Sequence, residues 1–302
     1  MSLLTGAQGF LGSRLASRLA ETGREFRVSS VRLGAQCLQD CLVELRCCTT
    51  VMHLAARVHI MDDQAADPLA AFRDVNTAGT LNLARQAAAA GVKRFVFVSS
   101  VKVLGEATAP ARPFLHDHPP APLDPYGISK HEAEDGLREI AAATGMQVVI
   151  VRPPLVYGPG VKANFAAMMR AVQRGLPLPF ASVTHNRRSF VALDNLVDLL
   201  ITCIDHPAAA NQTFLVSDGE DLSTADLLRR LGKAMGRPAR LFPVPPALLQ
   251  AGADLLGKGD VAQRLLGNLQ VDISHTRETL GWTPPITVDE GLRRAVAGLR
   301  TP

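Results

Sequence analysis

A chain of 302 residues is long enough for one large domain or two closely joined ones. With 47% apolar and 20% charged residues, its composition excludes a fibrous or disordered protein. A net charge of +4 with no Lys/Arg run longer than two residues argues against a nucleic-acid binder. No apolar stretch approaches the ~20 residues that span a bilayer. Met1-Ser2-Leu3-Leu4-Thr5-Gly6 carries neither a basic region nor a cleavable apolar segment. Cys37, Cys41, Cys47, Cys48 and Cys203 are odd in number and match no zinc-ligand spacing, so they read as reduced thiols of a cytoplasmic protein with no metal site.

In chain order, Ser2–Thr5 predicts a short strand followed by a Gly-rich turn. Leu11, Leu15 and Leu19 recur every four residues, which predicts a helix over Phe10–Thr22 that Gly23 ends. Strands follow at Phe26–Val31 and Thr50–Ala55, then a long helix over Pro68–Ala90 ended by Gly91. Phe95–Ser99 and Gln147–Val151 are continuous apolar runs, as strands buried on both faces require. Between them Asp124–Thr144 predicts a helix. This alternation predicts an α/β fold, a Rossmann-type doubly wound parallel sheet. From about Pro153 prolines and glycines rise. Helices at Phe165–Arg174, Leu193–Asp205 and Thr224–Met235 are separated by irregular segments. The reading is a nucleotide-binding domain over 1–155 and a smaller substrate domain over 156–302, with 188–206 packing back on the first.

Thr5-Gly6-Ala7-Gln8-Gly9-Phe10-Leu11-Gly12 joins the first strand to the first helix. Gly6, Gly9 and Gly12 suit a tight turn, backbone approach to a pyrophosphate and close helix–strand packing. The helix N-terminus, at Phe10 and Leu11, offers free N–H groups to the phosphates. A carboxylate some twenty residues on would hold the adenosine ribose and favour NAD. The sequence there reads Arg27-Val28-Ser29-Ser30-Val31-Arg32, with no acid. Ser29, Ser30 and Arg32 suit a 2′-phosphate instead, so the expected cofactor is NADP, with NAD the alternative.

Tyr126-Gly127-Ile128-Ser129-Lys130 places a phenol and an ammonium four residues apart on one helix face. Asp124 suits the cap and Pro125 the first turn. An ammonium beside a phenol favours the phenolate, which lets Tyr126 exchange a proton near neutral pH. Ser99-Ser100 ends a buried strand, where ligands bind in such sheets. Alone, each of these motifs is also compatible with an ordinary helix face or strand end.

Together they resemble the extended short-chain dehydrogenase/reductase superfamily, in its nucleotide-sugar epimerase/dehydratase/reductase branch. The resemblance runs through Thr5–Gly12, His53-Leu54-Ala55-Ala56, Asn76-Thr77-Ala78-Gly79-Thr80, Ser99–Gly105, Tyr126–Lys130, Arg152–Pro159 and Leu280–Pro284. It implies that Ser100 bonds the sugar carbonyl oxygen, Tyr126 is its acid/base, and Lys130 tunes Tyr126 and holds the nicotinamide ribose. Leu54, Ala55, Ala56, Asn76, Val98, Pro153 and Pro154 become cofactor-side contacts. Lys102, Asn164 and Arg188 become substrate contacts, Asn164 and Arg188 at the diphosphate. A guanidinium suits a diphosphate because its planar fork binds two oxygens.

Dehydratases of the branch carry Asp-Glu after the catalytic hydroxyl; here Val101-Lys102 stands there, so dehydration is not expected. A second diphosphate cation common in the branch is altered, with Lys258 or Arg264 as replacements. The resulting expectation is an enzyme acting at C4 of a nucleotide-linked hexose. Its main form is a reductase of a 4-keto-6-deoxy-(N-acetyl)hexosamine nucleotide serving surface polysaccharide. The alternative is an NAD-dependent 4-epimerase. A non-catalytic NADP-sensing protein is a third possibility, disfavoured because Ser100, Tyr126 and Lys130 all stand. The branch also implies a homodimer through Pro68–Ala90 and Asp124–Thr144.

Overall fold

Residues 1–30, 44–58 and 67–299 are described by the computed structural model. Six strands form an all-parallel sheet: β1 (Ser2–Thr5), β2 (Phe26–Val28), β3 (Thr50–His53), β4 (Arg94–Val98), β5 (Gln147–Arg152) and β8 (Thr213–Leu215). Their order is β2-β1-β3-β4-β5-β8. Strand order therefore reverses beside β1, and the Gly-rich turn leaves β1 at that switch point, where doubly wound sheets bind ligands.

Alternation along the strands divides the core into two layers. Leu4, Met52, Val96 and Val149 face Leu15 and Leu19 of α1 (Phe10–Glu21) and Leu196 and Leu200 of α6 (Leu193–Asp205). Leu3, Val51, Phe95, Phe97, Val148 and Ile150 face the opposite way. They meet Leu83, Ala84 and Ala87 of α3 (Thr80–Ala89) and Ala133, Leu137 and Ile140 of α4 (Pro125–Thr144).

The long helix expected over Pro68–Ala90 is in three pieces. α2 (Pro68–Phe72) runs into a π-helical segment, Arg73–Gly79, and then α3. The π segment carries Asn76, whose side chain is turned inward. The strand expected to reach Val31 ends at Val28, although Ser29 still donates its N–H to Leu4 O at 2.8 Å.

Beyond β5 lie three strands that the sequence reading lacked: β8 in the main sheet, and β6 (Leu155–Tyr157) and β7 (Phe190–Ala192), paired with each other. A third core gathers Tyr157, Phe165, Met169, Phe190, Leu231 and Leu292. It draws on α5 (Ala163–Gln173), α7 (Thr224–Ala234) and α11 (Val288–Ala297), while α8 (Pro246–Leu255), α9 (Gly259–Leu266) and α10 (Ser274–Leu280) fall between the last two. α6 packs beside α1, where Arg14 Nε meets Asp194 at 2.7 Å, and β8 completes the main sheet. Among the described residues, no helix is long and apolar enough to cross a membrane.

Candidate active site

Gly6 adopts φ +73°, and a Cβ there would lie 2.7 Å from Ala55 N; a Cβ at Gly12 would lie 2.1 Å from Gly6 O. The turn therefore needs glycine at both places, and it presses directly on the tip of β3. Gly9 caps α1 with no side-chain bond, and no acidic residue occupies the first turn. The helix N-terminus is left for an external anion, so the cradle fits a dinucleotide pyrophosphate. Leu54, Ala55 and Ala56 follow β3 beside it and are partly buried. Asn76 lies deeper. Its Oδ1 accepts from Arg57 N at 2.8 Å, and its Nδ2 donates to Arg57 O and Ser129 Oγ. The amide thus pins the segment after β3 to α4. Arg32 lies outside the described residues, as do Cys37 and Cys41.

At the far side of the switch point, β4 delivers Val98, Ser99 and Ser100. Lys102 N donates to Ser100 Oγ at 3.2 Å, which uses a lone pair and leaves the hydroxyl proton for the neighbouring Tyr126 oxygen. Asp124 caps α4, accepting from Gly127 N at 2.7 Å, and its other oxygen takes the Lys102 ammonium. Glu106 meets the same ammonium at 3.2 Å. Lys102 therefore reaches the cleft with its charge already matched.

Tyr126, in the first turn of α4, presents its hydroxyl beside Ser100. Burial, helped by the Asp124 charge and opposed by the Ser100 hydroxyl, pushes the phenol up to about 12. Lys130, 1% exposed, donates to Val98 O at 2.8 Å and lies 4.4 Å from the Phe97 ring centroid and 6.0 Å from that of Tyr126. Burial pulls Lys130 down to about 7, against the carboxylate of Glu134. The resemblance implied a Tyr126 depressed by Lys130. In the structure burial sets the direction of the shift at the phenol, and the Lys130 amine donates to a backbone carbonyl.

Glu134 was not foreseen, although it stands one turn after Lys130 on the same face. It accepts from Ser99 Oγ at 2.5 Å and from Arg152 at 2.9 and 2.5 Å, with Arg138 at 3.0 Å. This buried network ties the ends of β4 and β5 to α4. His53 is equally closed, between Thr5 Oγ1 and Thr80 Oγ1, and burial drops it to about 3. It is a neutral strut between β3 and its neighbours.

A cleft of about 460 Å³ brings Ser100, Lys102, Tyr126 and Pro154 of the sheet side together with Asn164, Arg188 and Arg264 of the other side. Pro153 sits behind Pro154, its carbonyl accepting from Val101 N at 3.0 Å. Arg188 is held by backbone bridges to Leu222 and Leu269. Its guanidinium donates to Gly267 O at 3.3 Å. Burial and, after it, the facing charge of Arg264 together lower Arg188 to about 10. Among the described residues neither arginine has a carboxylate partner. Two guanidinium groups turned toward one cleft without an anion form a site that an anion would stabilise. Of the two replacements considered for the second cation, Arg264 lines the cleft; Lys258 caps α9 and does not. Among the described residues, no group of His, Cys, Asp and Glu could hold a metal ion.

The sequence matches the NAD dependent epimerase/dehydratase family over residues 2–217. It is 51% identical to a UDP-glucose 4-epimerase of Vibrio cholerae, over 97% of this chain and 93% of that protein. It is 26% identical to a GDP-6-deoxy-D-mannose reductase of Pseudomonas aeruginosa, over 96% and 94%. Among solved structures, a Thermotoga maritima UDP-glucose 4-epimerase with UDP-glucose superposes with a TM-score of 0.79 at 23% identity, covering 99% of this chain and 98% of that one.

Proposed function

Because the chain belongs to the NAD dependent epimerase/dehydratase family, we propose that it interconverts C4 epimers of a uridine diphosphate hexose, with NAD as cofactor. The observation that carries the reading is the cleft itself: two hydroxyls, Ser100 and Tyr126, on one wall and, on the other, Arg188 and Arg264, which have no carboxylate partner among the described residues. A sugar diphosphate has a hydroxyl for the first and two negative charges for the second. The 51% identity to a UDP-glucose 4-epimerase weighs for epimerisation over the ketosugar reduction that the second-strand residues favoured.

Each residue then has a task. Arg188 and Arg264 hold the diphosphate and Asn164 borders it. Ser100 donates to the C4 oxygen, and Tyr126 takes and returns the proton there. Lys130 fixes the cofactor side and balances charge beside Tyr126. Bound nicotinamide supplies reversible hydride chemistry at the same carbon.

The test is incubation of the protein with UDP-glucose, without added reductant, followed by proton NMR of the sugar. Appearance of the UDP-galactose signals with no net change in NADH is the expected result. Tyr126→Phe should lower that turnover by roughly 10²–10⁴-fold while leaving nucleotide binding intact. No epimerisation, together with stoichiometric NADPH consumption on a 4-keto sugar nucleotide, would replace this reading with a reductase.

A further inference from the structure

A carboxylate at the tip of the second strand is the usual receiver of the adenosine ribose hydroxyls, and it rejects a 2′-phosphate by charge. Here β2 ends at Val28, and Ser29 and Ser30 follow it. The structure nevertheless places a carboxylate on that tip. Glu44, fifteen residues along the chain from Ser29, accepts from Ser29 Oγ at 2.5 Å. Its other oxygen accepts from Ser30 N at 2.9 Å and from Ser30 Oγ at 2.7 Å. Arg27 Nη1 and the Cys48 thiol both bond the Glu44 carbonyl, which fixes its backbone against β2.

The seat adjoins the cofactor cradle. Ser29 N bonds Leu4 O, so the tip of β2 stands level with the last residues of β1, directly before Gly6. Burial would push the Glu44 carboxyl up, but the bonds from Ser29 and Ser30 and the Arg27 charge hold it below the usual carboxylate range. It is ionised at neutral pH. A carboxylate offers roughly four acceptor positions, and the three bonds from the serines leave capacity on Oε2. Glu44 is itself only partly buried and Ser30 is exposed, so a ligand can reach the group.

We propose that Glu44, seated on Ser29 and Ser30, is the carboxylate that accepts the adenosine ribose hydroxyls and makes this chain select NAD over NADP. The two serines that invite a 2′-phosphate in the sequence are thereby spent on holding a negative charge. The inference rests on the dinucleotide cradle, and it gives the NAD of the proposed function its structural reason.

Calorimetric titration of the purified protein with NAD and with NADP, in the absence of any sugar nucleotide, tests it. Wild type should bind NAD more tightly. Glu44→Gln keeps the shape but loses the charge. It should weaken NAD at least tenfold relative to NADP, with the NADP affinity constant or improved. Glu44→Asp keeps the charge with a shorter reach. It should weaken NAD while still rejecting NADP, and it serves if the Gln variant does not fold. An equal loss for both nucleotides, or no change for either, would make Glu44 a strap for the strand tip and overturn the assignment. Because no turnover is measured, such a result would leave the epimerase reading standing. Failure of wild type to bind either nucleotide would instead strike the dinucleotide site.

Discussion

On the sheet side of the cleft Arg152 is 3% exposed and is met by Glu134, which is itself fully buried and also takes Ser99 and Arg138. On the opposite side Arg188 is met by Arg264. The chain thus holds one buried arginine in a completed network and leaves another, half-buried, facing a like charge across a cavity. A buried charge that is paired within the fold ties elements together. One that is left with its own kind awaits a counter-charge from outside. The first wall is built for position and the second, on the function proposed above, for binding.

Removing charge on the two walls should therefore have opposite consequences for stability. Glu134→Ala strands Arg152 without an anion and should destabilise the protein by about 3–5 kcal/mol, as breaking a buried pair does. Arg188→Met removes a desolvated cation and its repulsion, and should melt no lower than wild type. Denaturant curves for the two variants check both. Comparable losses would mean that Arg188 is structural too.

Lys130 sharpens the same contrast, because it is a buried cation on the well-paired wall whose own hydrogen bond goes to a neutral carbonyl. Its proton is held to about 7 in the fold against 10.5 in the open chain. Between those values the unfolded chain binds more protons, so this group makes stability rise with pH across that window. The penalty is complete below about 7 and absent above about 10.5. Lys130→Met should be the more stable protein at pH 6.5 by on the order of a few kcal/mol, with the advantage fading toward pH 10. A difference between the two that does not vary with pH would place the Lys130 proton elsewhere.

The sheet half was largely legible from the sequence because its signals are local. Leu11, Leu15 and Leu19 repeat within one helix, Phe95–Val98 is a single apolar run, and Tyr126 and Lys130 share one helix face. What escaped depends on distant partners. β6, β7 and β8 are three residues each, too short for any period, and β8 is recognisable only by its place beside β5. The π turn at Arg73–Gly79 leaves no mark in the residue pattern, since the helix continues on either side. Glu44 reaches Ser29 and Ser30 through folding of the intervening chain, so the missing acid at β2 read as an absence. Arg264 could be named as a replacement cation, but its choice over Lys258 required the cleft.

The contrast between the two walls depends on Arg188 and Arg264 holding the diphosphate, as proposed above. Calorimetric titration of UDP and of uridine into wild type and into the Arg188→Met/Arg264→Met double variant measures it without any chemistry on the sugar. Charge-assisted bonds to a phosphate are worth about 1.5–3 kcal/mol each, so wild type should bind UDP at least tenfold more tightly than uridine. In the double variant the two ligands should bind alike. A double variant that still prefers UDP by the wild-type margin would show that the diphosphate is held elsewhere, and the contrast between the two walls would lose its functional meaning.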